Sequence, residues 1–288
     1  MRAELQLAVA QLDARPGAVA DNAALVHDAA LRAQADVLLT PELALTGYDV
    51  RDLAHDLALP LVIGEPLPPP CEALRALPGT VITGLIERGA DDVVYNVAVA
   101  LDEGRLRDVH RKVYLPTYGM YDEGRWFGRG HEVQPWPLAG SWRAGVLVRE
   151  DFWHPGLVYT LASTGIDLLL VLAAGPGRGV WEGGAHGPFA SADAWERIAR
   201  TTAQLYGIYV ALANRCGVEG AVTFAGGSLI VSPTGDVLAR APALEPALLR
   251  ATLDPAVLAQ ARRPYFHGRD DDPRLVAREL SRLHDGRS

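Results

Sequence analysis

Two periodicities run along the chain. Residues 5–10 alternate apolar and polar in the manner of a strand, and 17–35 carry apolar side chains at helical spacing, Ala24, Leu25, Ala29 and Leu31 among them. The pattern next predicts strands over 36–39, 81–87, 93–101 and 106–112, with a Glu103-Gly104 turn before the last. Beyond these it predicts a strand over 143–148, a helix over 155–164, a strand over 166–172, a helix over 191–206 and a strand over 208–213. In the 189–206 stretch Trp195, Ile198, Ala199 and Thr202 recur as the packed face of a helix on a sheet. A closing hairpin pairs 227–231 with 237–239 around Pro233-Thr234-Gly235-Asp236. No internal repeat is visible. Strands that alternate with helices, mixed with hairpins, predict a layered α/β fold with a mixed sheet or two stacked sheets.

Composition narrows the class. With 288 residues, 49% hydrophobic and 22% charged, the chain can bury a large core, read here as one domain. A net charge of −8 gives no footprint for nucleic acid or an acidic membrane surface. Cys71 and Cys216 are too few for a disulfide framework, the start Met1-Arg2-Ala3-Glu4-Leu5 lacks a signal-peptide core, and no apolar run reaches the ~20 residues of a membrane span. A soluble, cytoplasmic protein is expected. His110, His131, His154 and His186 show no metal-ligand spacing, so no metal or cofactor is expected, and these histidines are read as surface or hydrogen-bonded. Glycine-rich 175–179 and 182–184 lack the phosphate-loop pattern and are read as a mobile loop near a pocket mouth.

Three segments carry chemistry. In 39–48, Glu42 follows an apolar strand and a proline; its plain reading is a solvated acid. The 110–127 segment, dense in aromatic and charged residues, reads plainly as a surface loop with ordinary ion pairs. In 145–155 an apolar strand stops at a polar elbow, Arg149, before a helix near Pro155, and the plain reading is a strand-end arginine paired with a neighbouring acid. Strand ends in α/β proteins open onto the ligand crevice, where a nucleophile is exposed and a helix N-terminus can polarise a carbonyl. A guanidinium there is always protonated and cannot attack carbon.

In their order and separations these segments resemble the nitrilase superfamily of carbon–nitrogen hydrolases, over about residues 4–255. Within it, 41–48 and 115–123 are most similar to the glutaminase domain of glutamine-dependent NAD synthetase, and 213–217 and 224–228 match its closing strands. No segment resembles the ATP-binding synthetase domain. The resemblance implies a four-layer-type α-β-β-α sandwich in one domain, 1–264. It further implies a homodimer, to which a tail, 265–288, helical through Leu275, Val276, Leu280 and Leu283, would contribute interface. It also implies Glu42 as general base, Lys112 as the cation for the tetrahedral oxyanion, Glu123 as positioning acid, and a pocket that takes in Tyr48, Tyr118, Glu150 and Gly175. The cysteine nucleophile would fall at 149, where the chain has arginine. A serine-containing turn of the family is replaced by Ala173-Ala174-Gly175-Pro176. Cys216, after a different strand, and Cys71, in what looks like a surface loop after Pro68-Pro69-Pro70, are read as bystanders.

Glu42, Glu123 and Lys112 leave a pocket with a net charge of about −1, which Arg149 brings to zero; the expectation is a guanidinium paired with Glu42 or Glu123, bidentately, that plugs the site. Two readings follow. One is a pseudoenzyme that binds a small amide or carboxylate ligand, or a protein partner, with no role for nucleic acid or membrane. The other is an amidohydrolase that releases ammonia from a small amide such as glutamine through another nucleophile or through water activated by Glu42.

Overall fold

The computed structural model describes residues 3–90, 92–119, 121–179, 189–265 and 267–285. Its strands are β1 (Leu5–Gln11), β2 (Val37–Leu39), β3 (Leu59–Pro60), β4 (Thr80–Arg88), β5 (Val94–Asp102), β6 (Arg105–Arg111), β7 (Trp136–Pro137) and β8 (Arg143–Val148). They continue as β9 (Leu168–Ala173), β10 (Tyr209–Asn214), β11 (Cys216–Glu219), β12 (Val222–Ala225), β13 (Leu229–Val231), β14 (Val237–Arg240) and β15 (Ala247–Leu253). The helices are α1 (Val19–Ala33), α2 (Ala54–Leu57), α3 (Pro155–Ser163), α4 (Ala190–Tyr206), α5 (Pro255–Tyr265) and α6 (Pro273–Asp285).

Two mixed sheets stack face to face. One runs β15-β1-β2-β4-β5-β6, with β3 also paired to β4; the other runs β14-β13-β10-β9-β8-β7, and β11-β12 form a small ribbon. The period of two along each strand sorts its side chains between layers. Leu5, Leu7 and Val9 of β1 point between the sheets, while Ala8 and Ala10 face α1. In the second sheet Val146, Val148, Leu168, Leu170 and Leu172 fill the inter-sheet core, whereas Leu147, Leu169 and Val171 lie with Val158 and Leu161 of α3 and Ala199 and Ala203 of α4. All six residues of β9 are buried because it lies parallel between β8 and β10 with layers on both faces. The architecture is an α-β-β-α sandwich: the two stacked sheets are one of the arrangements that the alternation of strands and helices predicts, and the four layers are those that the resemblance implies.

Three of the differences from the sequence reading bear on how the layers pack. The α1 helix forms where its spacing predicts, but its packed face is Val19, Ala23, Val26, Ala29, Ala30 and Ala33, with Ala24 and Leu31 turned to solvent. Cys71 is not in a surface loop: Leu67, Leu74 and Leu77 pull its segment into the core cluster beside α1, and Cys71 is fully buried. β15, absent from the predicted elements, pairs antiparallel with β1 along its whole length; its burial is only partial, so its alternation is weak.

The C-terminal residues divide. α5 packs Leu258 into the inter-sheet core, and Arg262 donates to the Gly207 and Ile166 carbonyls. α6 exposes Leu275, Val276, Leu280 and Leu283. Among the described residues no helix is long and apolar enough to cross a membrane. Residues 182–184 and His186 lie outside the described residues.

Candidate active site

The elbow after β8 sets one wall. Arg149 adopts φ +42°, a left-handed conformation that costs a non-glycine residue about 1–3 kcal/mol and persists only where its surroundings enforce it. Asp151, fully buried, anchors the backbone around it. Its Oδ1 accepts the Val113 and Tyr114 amides at 3.0 and 2.8 Å, and its Oδ2 accepts the Val148 amide at 3.3 Å and lies 3.1 Å from His110 Nε2. One carboxylate thereby ties the end of β6 to the end of β8. Asp151→Ala strands two buried amides and a part-buried one and is expected to cost about 2–3 kcal/mol in urea unfolding; a loss below about 1 kcal/mol would make the hub dispensable.

Glu42 occupies the turn after β2. That turn passes so close to β4 that a Cβ on Gly84 would lie 2.3 Å from the Leu43 nitrogen, so only glycine fits there. Lys112 follows β6 directly, opposite Asn96 of β5, whose carbonyl accepts the Lys112 amide at 2.9 Å. Glu123 sits in a short 3-10 turn, Glu123–Arg125, held by its amide on the Pro116 carbonyl. The sandwich thus gathers residues from distant segments at the ends of β2, β6, β8 and β9.

Their side chains form one buried cluster. Lys112 Nζ donates to Glu42 Oε1 at 2.7 Å and to Glu123 Oε1 at 2.9 Å, and lies 2.7 Å from Glu123 Oε2. Glu42 Oε1 also accepts Asn96 Nδ2 at 2.8 Å, and Oε2 accepts the Ala174 amide at 3.0 Å. Burial disfavours the Lys112 cation, but Glu123 and Glu42 outweigh it and hold its pKa above the ordinary lysine value. Burial pushes the Glu123 carboxyl up, with Lys112 opposing. Tyr48, fixed by Glu219 on its own amide and that of Asp49, donates its hydroxyl to Glu123 Oε1 at 2.5 Å. Burial, then Glu123, hold this phenol well above its usual range, so it remains a donor.

Arg149 enters this cluster differently from the bidentate pair expected. Its side chain is buried, yet its closest carboxylate is Glu123 Oε1, 3.5 Å from Nη1, and Nη1 donates to the Tyr48 hydroxyl at 3.2 Å. Lys112 already occupies both carboxylates, so the guanidinium takes aromatic partners instead: its Cζ lies 4.1 Å from the Tyr121 ring centroid and 5.7 Å from that of Tyr48. Among the described residues its buried Nε has no acceptor. Arg178 also reaches Tyr121, its Cζ 5.0 Å from the ring centroid.

The remaining sequence-predicted positions divide. The Tyr118 hydroxyl donates to Glu150 Oε2 at 2.9 Å, and both line a cleft with Tyr114 and His154, whereas Tyr48 and Glu123 line another with Tyr121. Gly175 contributes backbone: its amide donates to Asn214 Oδ1 at 2.7 Å, and a Cβ there would lie 3.2 Å from Trp195 Nε1. Burial pushes the thiols of Cys71 and Cys216 up to about 12, so neither is a thiolate near neutral pH. Sequence reasoning missed Asn96, Tyr121 and Asp151. Asn96 had a signal, a polar residue inside the apolar strand Val94-Tyr95-Asn96-Val97.

Comparison with known proteins gives this geometry relatives. The carbon–nitrogen hydrolase family profile matches residues 6–263. The glutamine-dependent NAD(+) synthetase of Synechocystis sp. is 29% identical over 270 residues, which is 86% of this chain and 46% of that protein. The chain therefore spans about half the length of such relatives. A Pseudomonas protegens protein described as the hydrolase in the pqqF 5' region is 30% identical over 94% of this chain and 90% of its own length. Among solved structures, a variant of the nitrilase-superfamily amidase from Nesterenkonia sp. AN1 aligns with a TM-score of 0.72 and 27% identity, covering 93% of this chain and 97% of that one. A further variant of that amidase has been solved with the acetamide moiety of fluoroacetamide added covalently at its active-site cysteine.

Proposed function

The chain belongs to the carbon–nitrogen hydrolase family, and from that premise we propose that it is an amidase- or glutaminase-like member that has lost cysteine-dependent amide hydrolysis and acts by binding or regulation. In the active reaction a thiolate attacks the amide carbon, ammonia leaves on protonation, and water releases the acyl group as a carboxylate. The observation that carries the proposal is the occupant of the elbow: at the strand end beside Glu42, Lys112 and Glu123 stands a buried guanidinium, 3.5 Å from Glu123. Losing a nucleophile removes the covalent path and leaves only binding and oxyanion stabilisation.

Covalent labelling tests the reading. A thiolate displaces fluoride from fluoroacetamide, so intact mass after incubation reports any reactive cysteine. The natural protein is expected to gain no mass, since both its thiols are buried with raised pKa. An adduct on Cys71 or Cys216 of the folded natural protein would overturn the proposal.

A further inference from the structure

We infer that Glu219, on the β11–β12 ribbon, is a positioning residue of the elbow cluster: it holds Tyr48, and through the Tyr48 hydroxyl it sets where Glu123 and the Arg149 guanidinium meet. Glu219 is 2% exposed and directs its carboxylate at backbone. Its Oε2 accepts the Asp49 amide at 2.8 Å and lies 3.3 Å from the Tyr48 nitrogen, and its Oε1 accepts the Tyr48 amide at 3.1 Å. These are the first two amides after Gly47, at φ +80°, where a Cβ would lie 2.5 Å from Pro16 Cα. The turn that carries Glu42 thus ends in a close-packed bend, and the chain leaving it meets a buried acceptor at once.

The ribbon fixes that acceptor in turn. Arg215, 1% exposed, pairs with Glu219 through Nη1, donates from Nη2 to the Ala14 carbonyl at 2.7 Å, and places its Cζ 4.3 Å from the Phe224 ring centroid. Phe224 meets the Tyr48 ring edge to face, with centroids 5.8 Å apart. Both the amide and the ring of Tyr48 therefore rest on the ribbon. A buried ion pair can often be replaced by apolar residues without loss of stability, so cohesion alone does not call for Arg215 and Glu219. Apolar residues cannot supply an acceptor for two amides.

At its other end Tyr48 bridges an acid and a cation. The hydroxyl donates to Glu123 Oε1 at 2.5 Å and accepts from Arg149 Nη1 at 3.2 Å. Bonds of the O–H···O kind extend to roughly 3.0 Å, so a small slide of residues 48–49 takes the hydroxyl off Glu123. The carboxylate that fixes those amides fixes the bridge.

NMR titration of the full chain, with tyrosine isotope-labelled at the phenol carbon and Tyr48 assigned by its loss in Tyr48→Phe, tests this. Burial and Glu123 hold the Tyr48 pKa well above its usual range, so a fall reports that the phenol has left them. Arg215→Met/Glu219→Gln and Arg215→Met/Glu219→Ala both remove the ion pair and differ in the acceptor; because Oε2 lies within reach of both amides, one glutamine carbonyl can stand in for it. Glutamine should leave the Tyr48 titration as it is in the natural protein. Alanine should make the phenol at least about tenfold more acidic. Tyr209, another phenol that burial holds above its usual range, should be unchanged in both. If the alanine variant does not fold, Glu219→Asp, which keeps the charge and draws the carboxylate back from the amides, replaces it with the same expected direction. Equal Tyr48 titrations with and without the acceptor's reach overturn the inference, and so does a fall shared by Tyr209, which marks a general loosening of the fold. Ammonia plays no part in these readouts, so the loss of hydrolysis stands or falls separately.

Discussion

Lys112→Met is expected to lower the unfolding free energy by about 3–5 kcal/mol, the cost of removing one partner from a buried ion pair. For a chain of this size that corresponds to a fall in melting temperature on the order of 10 °C. Lys112 is completely buried and, among the described residues, is the one cation in hydrogen-bond contact with both Glu42 and Glu123. Methionine preserves the length of the side chain, so the loss reports charge more than volume. Arg149→Ala should cost clearly less, because Glu123 keeps both Lys112 and the Tyr48 hydroxyl when the guanidinium goes. The pH dependence has a definite sign. Lys112 has a folded pKa above the ordinary value of 10.5, so its stabilisation is complete below that value and is lost as pH rises through the folded pKa. The methionine variant should lack that alkaline loss. Chemical unfolding of the three proteins decides the matter: an Arg149→Ala cost equal to that of Lys112→Met would assign the compensation of the acids to the wrong cation.

Arg149→Cys is expected to gain amide hydrolysis, by about three orders of magnitude or more over the natural protein, since it restores a covalent path to a site that retains its neighbours. Asp151 holds the strand end just before residue 149, at φ +42°, through the Val148 amide, a contact that does not involve the arginine side chain, so the substituted thiol should be presented from the same backbone. Glu42 is then the group to take its proton and Lys112 the cation for the oxyanion. The variant should also take up one acetamide equivalent from fluoroacetamide. A folded Arg149→Cys protein that neither hydrolyses amides nor is labelled would mean that the site has lost more than its nucleophile, the Ala173-Ala174 turn being the first place to look.

Much of the sandwich is legible in the sequence because each strand sorts its side chains by parity. β8 and β9 are apolar at every buried position, and the chain can satisfy such strands only between two layers. The face of α1 was less legible: alanines at Ala23, Ala29, Ala30 and Ala33 let the helix pack closely, and the larger Leu31 is left outside. For the site, Glu42, Lys112, Glu123 and Arg149 could be singled out only through their order and a family resemblance, because 70 residues separate Glu42 from Lys112, which lie 2.7 Å apart. Tyr121 was hidden among the aromatic residues of 114–127, and its role as the platform for Arg149 depends on a fold that no local pattern encodes. Asp151 reads in sequence as one more acid beside the elbow; its place as a hub linking β6 and β8 exists only in three dimensions.

We propose, above all, that this hydrolase scaffold no longer cleaves amides. Ammonia release from glutamine and a panel of small amides and nitriles, measured for the natural protein beside Glu42→Ala, tests it most directly. No release above the buffer control is expected from either protein. Steady turnover by the natural protein that disappears in Glu42→Ala would contradict it and would establish a reaction that proceeds past Arg149.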